Sequence, residues 1–164
     1  MKLGIISDTH GGTEYIERAA DKFGERNIDL IAHCGDVTRP RHLQPLFSLG
    51  ENPLQLALGN CDRNVPAFRR AAAENKLKLH GQGGVLNLNE KKVALTHGDS
   101  HYILRRLLKE EPDFLLRGHS HEKTDRRISG TRLINPGSAG RGTHSAAILT
   151  TTTGNLEFID LNRH

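Results

Sequence analysis

Apolar and polar positions follow one rule in the first half of this chain and another in the second. In the first half each apolar strand leads into a polar turn and then a stretch of helical spacing. "KLGIIS" runs into "DTHGG" and then 13–26, where Ile16, Ala19, Ala20 and Phe23 recur on one helix face. "DLIAHC" leads to "GDVTRP" and a short helix near 40–49, with Pro40 tolerated in its first turn. "PLQLAL" leads to "GNCDRN" and "VPAFRRAAAENK", whose Pro66 and alanines suit a helix start and body. This βαβαβ order predicts parallel strands joined by right-handed crossovers.

The second half carries more strands and fewer helices. Strand patterns fall at 77–80, 84–89, 92–96, 113–117, 123–129, 131–135, 145–150 and 155–161, and only 100–110, "SHYILRRLLKE", has helical spacing. "NLNEKKVAL" and "RRISGTRLI" read as hairpins, each with a polar or glycine-containing turn between apolar alternations. The mixture predicts an α/β (α+β) fold with two facing mixed sheets and helices outside.

Composition narrows the class. A length of 164 residues fits a single domain, 1–164, with one sizeable core. No apolar run approaches the roughly 20 residues of a membrane helix, and the polar residues of "MKLGIISDTHGG" arrive too early for a signal peptide. A cytoplasmic protein is therefore expected. Its two cysteines form no disulfide framework and no C-x-x-C site, so both are expected as reduced thiols, with a Cys34–Cys61 disulfide the alternative. The net charge of +4 comes mostly from dispersed arginines, which suits an anionic substrate as well as it suits an ordinary basic surface. Two Tyr, five Phe and no Trp argue against a platform for stacking single-stranded bases.

Metal-competent side chains lie just beyond strand ends: Asp8 and His10 in "SDTHG", Asp36 in "CGDV", Asn60 in "LGNCD", His97 in "LTHGD", His119 and His121 in "RGHSH". In open α/β sheets the crevice beyond the strand carboxyl ends is where ligands bind. Two carboxylates, four imidazoles and an amide suit Mn, Fe, Zn, Co or Ni better than Ca or Mg. Seven donors exceed one closed tetrahedral zinc and match two metals that share a carboxylate and keep positions open. On an extended strand end residues i and i+2 point the same way, which would let the D-x-H and H-x-H pairs face one site.

"DTH", "GD", "GN", "HG" and "GHSH", in that order, resemble the calcineurin-like metallophosphoesterases, and especially their small single-domain phosphodiesterases of the YfcE/MJ0936 type. The resemblance covers roughly 3 to 161, including "INPGSAG". It implies a four-layer αββα sandwich and a dinuclear site with Asp8, His10 and His121 on one metal, Asn60, His97 and His119 on the other, and Asp36 between them. The implied reaction is hydrolysis of a phosphate ester, most simply a small phosphodiester, by a metal-bridging hydroxide held by Asp36, with two divalent ions, manganese first and Fe, Zn, Ni or Co as alternatives.

Several residues keep two readings. Asp62 and Asp99 are candidates to orient a metal-binding imidazole, or are turn and surface carboxylates. "NPGS" at 135–138 is a loop near the site or an ordinary turn. Arg63 and Arg141 are candidate phosphate contacts or surface residues. His33, inside a strand, is expected as a packed core histidine, and His42, His80, His101, His144 and His164 as surface or structural ones. Cys61 occupies the position where much of the family has a His that stabilises the transition state or protonates the leaving oxygen. A thiol replaces it poorly. As a nucleophile Cys61 lacks an Arg-rich phosphate loop around it, and as a metal ligand it competes with Asn60. The competing functions are a non-catalytic scaffold of the retromer-subunit type, a phosphomonoesterase, and a nuclease, although the chain has no room for extra DNA-binding domains. No membrane association or stable nucleic-acid binding is expected, and a homo-oligomer stays open.

Overall fold

A computed structural model describes residues 1–49 and 53–162; His164 lies outside them. The first half folds into β1 (Lys2–Ile6), α1 (Thr13–Glu25), β2 (Leu30–His33), a 3-10 turn (Pro40–Leu43), α2 (Gln44–Phe47), β3 (Leu54–Leu56), α3 (Val65–Glu74) and β4 (Leu77–Leu79). The second half supplies β5 (Gly83–Leu88), β6 (Lys91–Thr96), α4 (His101–Leu108), β7 (Phe114–Leu116), β8 (Lys123–Ile128), β9 (Thr131–Pro136), β10 (Ser145–Thr150) and β11 (Asn155–Asp160). Helix α3 starts where Asn64 caps the Ala67 N–H, and α4 where Ser100 caps that of Ile103.

These strands form two mixed sheets. One has six strands in the order β11-β10-β1-β2-β3-β4, the other five in the order β5-β6-β7-β9-β8. β1 through β4 pair in parallel, whereas β10 and β11 add antiparallel edges. In the second sheet β6, β7 and β9 run parallel, and the two expected hairpins, β5-β6 and β8-β9, close its flanks.

Strand alternation decides which core each side chain enters. Leu3, Ile5, Leu30 and Ala32 point between the sheets and meet Val93, Leu95, Phe114, Leu116 and Ile134. Ile6 and Ile31 point the other way, onto Ile16, Ala19, Ala20 and Phe23 of α1 and Phe68 of α3. On the far side Ile103 and Leu107 of α4 cover Ala94, Leu115 and Leu133. The result is the expected helix–sheet–sheet–helix layering, with β1, β2 and β3 all releasing their next loops at one edge.

His33, at the end of β2, is a structural histidine. It is fully buried; its Nδ1 accepts the Gly35 N–H at 3.1 Å, which leaves Nε2 to donate to Thr9 Oγ1 at 3.2 Å. Burial, reinforced by His97, pushes its pKa down from 6.5 to about 3. The folded value lies below the unfolded one, so this stabilisation is complete above pH 6.5 and is lost as pH falls from 6.5 toward 3. Urea unfolding between pH 7 and pH 5 is expected to weaken by up to about 1.4 kcal/mol per pH unit from this residue. His33→Gln should flatten that slope; an unchanged slope would show that other groups set it.

Candidate metal centre

The five loops that carry the candidate ligands do converge, but not by strand alternation. Asp8, His10, Asp36, His119 and His121 have φ of 52°, 44°, 59°, 70° and 60°, in the left-handed region that side chains other than glycine rarely adopt. The extended-strand account of the D-x-H and H-x-H spacings is thus corrected: both pairs sit in sharp turns after the strands end. Backbone hydrogen bonds between loops hold these turns: Asp8 N–H to Gly35 O at 3.0 Å, His10 N–H to Asp36 O at 2.9 Å, and Gly118 N–H to His97 O at 3.0 Å. Unfavourable backbone conformations concentrated at one place mark a constellation that the surrounding structure over-determines.

Five of the seven candidate ligands meet around two carboxylate oxygens, and His119 joins them through His97. Asp8 Oδ1 lies 3.2 Å from His121 Nε2, 3.9 Å from His10 Nε2 and 4.0 Å from His97 Nε2. Asp36 Oδ2 lies 3.5 Å from His97 Nε2 and 3.8 Å from His10 Nε2. His10 Nε2 faces His121 Nε2 at 3.3 Å, and His97 Nε2 faces His119 Nδ1 at 3.3 Å. His97 Nδ1 donates to the Cys34 carbonyl at 2.8 Å, which fixes the tautomer and turns the Nε2 lone pair into the cluster. Asn60 stands apart. It is exposed, and its amide donates to Cys61 Sγ at 3.6 Å.

Asp8 has no exposed surface, and its Oδ1 accepts no hydrogen bond. Its other oxygen is satisfied by Ser7 Oγ–H at 2.6 Å and His119 N–H at 3.1 Å. A buried anionic oxygen without a donor costs several kcal/mol unless a cation meets it. Each facing pair of ring nitrogens makes the same demand, because two lone pairs at that distance repel unless a proton or cation lies between. The donor set therefore fits divalent cations, and Asp8 Oδ1 is as central to it as Asp36.

The sequence model of the calcineurin-like phosphoesterase superfamily domain matches residues 1–154. The chain belongs to that superfamily. It is 35% identical over 162 residues to a probable metallophosphoesterase, YsnB, of Bacillus subtilis, spanning 92% of this chain and 84% of the relative. It is 27% identical over 144 residues to phosphodiesterase MJ0936 of Methanocaldococcus jannaschii, spanning 84% and 83% respectively. A solved structure described as a novel archaeal phosphodiesterase superposes with a TM-score of 0.87 at 25% identity, over 97% of this chain and 99% of that one. Vacuolar protein sorting 29 of Cryptosporidium parvum shares the fold alone, with a TM-score of 0.65 at 17% identity over 96% of this chain and 95% of that one.

Within this phosphoesterase Asp62 and Asp99 take the second of their two readings, as a turn and a surface carboxylate. Asp62 has no hydrogen bond or ion pair with an imidazole among the described residues. Buried beneath the loops, it accepts the backbone N–H of Gly59 at 2.8 Å, Asp36 at 2.9 Å and Thr38 at 2.7 Å, tying the β2 and β3 loops together. Asp99 is exposed, in a shallow depression beside Asn60. The "NPGS" segment is more than a turn: Asn135 donates to Gly118 O and Ser120 Oγ, both at 3.0 Å, and Ser138 Oγ donates to Asp8 O at 2.9 Å. Ser7 and the Cys34 carbonyl were not legible as site groups. A buried carboxylate needs donors, and the residue before Asp8 is one, which is the signal the sequence offered.

Arg141 is exposed, and its charge helps hold the His10 pKa below the usual range, where burial is the main cause and Asp36 opposes it. Arg63, also exposed, lines a cleft with Cys61. Both cysteines are free thiols, so the disulfide alternative is not realised. Cys61 N–H donates to Asp36 Oδ1 at 2.8 Å, and its sulfur lies within 4.8 Å of donor atoms of His10 and Asp36. Burial first, then hydrogen bonding to Asp36, raises the thiol pKa, which leaves it protonated near neutral pH. Such a thiol is a poor nucleophile.

Proposed function

We propose that this phosphoesterase is a dinuclear phosphodiesterase, and the unpartnered Asp8 Oδ1 among three imidazole nitrogens supports this best. Asp8, His10 and His121 would hold one divalent cation, Asn60, His97 and His119 the other, and Asp36 would lie between. Manganese is the first choice, with Fe, Zn, Ni or Co compatible with the same donors. When bound, two such cations supply Lewis acidity at the phosphoryl oxygens and a water acidic enough to be a nucleophile near neutral pH. Asn60 would have to turn its oxygen inward to complete the second set. Arg141, whose charge acts on His10, and Arg63, whose charge acts on Cys61, would grip phosphoryl oxygens.

No described helix is long and apolar enough to cross a membrane. A cytoplasmic enzyme acting on a small phosphodiester, without stable nucleic-acid binding, is the consistent reading; a homo-oligomer is compatible with it. The scaffold alternative of the retromer-subunit type is weaker, because Vacuolar protein sorting 29 matches at only 17% identity and this chain keeps every expected ligand residue type. A screen of divalent metals against bis-p-nitrophenyl phosphate and p-nitrophenyl phosphate tests the reading. Metal-dependent diester hydrolysis supports it; inactivity with every metal favours the scaffold.

Cys61 shapes which esters are cleaved. Its protonated thiol, hydrogen-bonded to Asp36, is a weak donor to a departing oxygen, so good leaving groups are favoured. Cys61→His restores a general acid, a contribution typically of about 10²-fold or more. We expect it to raise hydrolysis of alkyl diesters at least about tenfold relative to aryl diesters. A leaving-group dependence identical to that of the wild type would remove this role for Cys61.

A further inference from the structure

Cys61 is shared between the ligand cluster and a cleft of about 860 Å³, whose walls are the 3-10 turn with α2 on one side and α3 on the other. The rim carries Arg39, Arg41, Arg63 and Arg70 against a single carboxylate, Glu74. All four arginines are exposed. Among the described residues none of them is engaged in an ion pair, while Arg18, Arg26 and Arg132 are. Asn64, the N-cap of α3, opens into the same space and adds the positive end of a ten-residue helix. Four unpaired guanidinium groups around one concavity repel each other until an anion enters.

We propose that this cleft receives one arm of the substrate and that the arm carries a second, terminal phosphate; the inference rests on the phosphodiesterase reading above. A diester brings one negative charge, and that charge is held at the metal centre. The cleft then asks for an anion of its own. A terminal phosphate brings about −1.5 to −2 charges and three acceptor oxygens, which matches planar forks that grip phosphate bidentately. A volume of about 860 Å³ lies within the range of small-molecule sites. Phe47, Ala67 and Ala71 supply an apolar wall beside the arginines, against which the body of the arm can lie.

The test compares probes that differ only in that phosphate, with the full chain loaded with Mn²⁺. Thymidylyl-thymidine is set against its 5′-phosphorylated form, and glycerophosphoglycerol against its terminally phosphorylated form. In at least one pair the phosphate should raise kcat/KM by about tenfold, mainly through KM, the size expected when several partly exposed arginines engage one dianion. Arg41→Gln and Arg70→Gln should each remove about threefold or more of that gain. Arg69→Gln, on the same helix but facing a separate depression, should remove none. Hydrolysis of bis-p-nitrophenyl phosphate should stay within about twofold of wild type in all three variants, since its arms carry no charge.

No gain in either pair overturns the proposal, and so does an equal loss in Arg69→Gln, which would mean general surface attraction. A gain confined to one pair supports it and assigns the arm to a nucleotide or a polyol. Wild type that leaves bis-p-nitrophenyl phosphate uncut overturns the phosphodiesterase reading instead. Calorimetric titration with the two dinucleotides then decides the cleft by binding alone.

Discussion

Asp36→Asn is expected to lower kcat/KM on bis-p-nitrophenyl phosphate by about 10³-fold at fixed Mn²⁺, with the fold intact. Asp36 is 3% exposed; its Oδ1 accepts the Cys61 N–H, and its Oδ2 stands 3.5 Å from His97 and 3.8 Å from His10. Asparagine has the same shape and can keep a carbonyl oxygen on the Cys61 N–H. Its amide nitrogen then points at His97 and His10, putting a donor where the geometry calls for a cation. Burial alone would raise the Asp36 pKa, but hydrogen bonding from Cys61 and the nearby imidazoles of His97 and His10 hold it below the usual value, so the wild-type group is ionised at working pH. The variant therefore removes a full charge from a site with two carboxylates. Metal content per chain, measured beside activity, should fall as well. Full activity at unchanged metal content would exclude Asp36 from the role proposed for it.

That experiment also bears on which carboxylate is shared. The family resemblance implies Asp36 as the bridging group and Asp8 as a ligand of one side. The geometry gives Asp8 Oδ1 three imidazole neighbours to two for Asp36 Oδ2. Ser7 and His119 occupy the other Asp8 oxygen, so Oδ1 alone remains for a cation. Asp8 combines complete burial with a missing partner, and that arrangement is sustained only by charge compensation from within the cluster.

The layered fold was legible because two periodicities and their order were enough to separate parallel from hairpin segments. Ile16, Ala19, Ala20 and Phe23 all became buried on α1, and both proposed hairpins formed. The ligand types were legible because they concentrate just past strand ends, where an apolar run stops abruptly at a carboxylate or imidazole. The backbone of the site was not. Asp8 and His10 take left-handed φ values because Gly35 and Asp36 offer carbonyls across the gap between loops, and contacts of that kind leave no trace in local spacing. The choice between the two readings of Asp62 was closed to the sequence for a related reason. Its partners are backbone N–H groups, one of them 26 residues away, and every residue but proline carries such a donor.

Gly118→Ala is expected to cost about 3 kcal/mol and to abolish stabilisation by Mn²⁺, although it adds only a methyl group. A Cβ at 118 would overlap Ser7 Oγ and the Oδ2 of Asp8, both on side chains with no exposed surface. Neither can retreat: Ser7 Oγ donates to Asp8 at 2.6 Å, the His119 N–H holds the same oxygen, and Asn135 pins the Gly118 carbonyl. Moving Asp8 aside would carry Oδ1 away from His10, His97 and His121 together. Gly24→Ala, within α1, provides the contrast, because among the described residues its Cβ would meet only Leu49 Cδ2 at 3.5 Å, an ordinary contact. That change should stabilise the protein by roughly 0.5–1 kcal/mol. Thermal melts with and without Mn²⁺ separate the two: Gly118→Ala should fall by roughly 6–12 °C in the absence of metal and show no rise on adding it, whereas Gly24→Ala should rise in both. A metal-dependent gain in Gly118→Ala equal to that of wild type would mean that Asp8 tolerates displacement, and that its unpartnered oxygen is not what the cation meets.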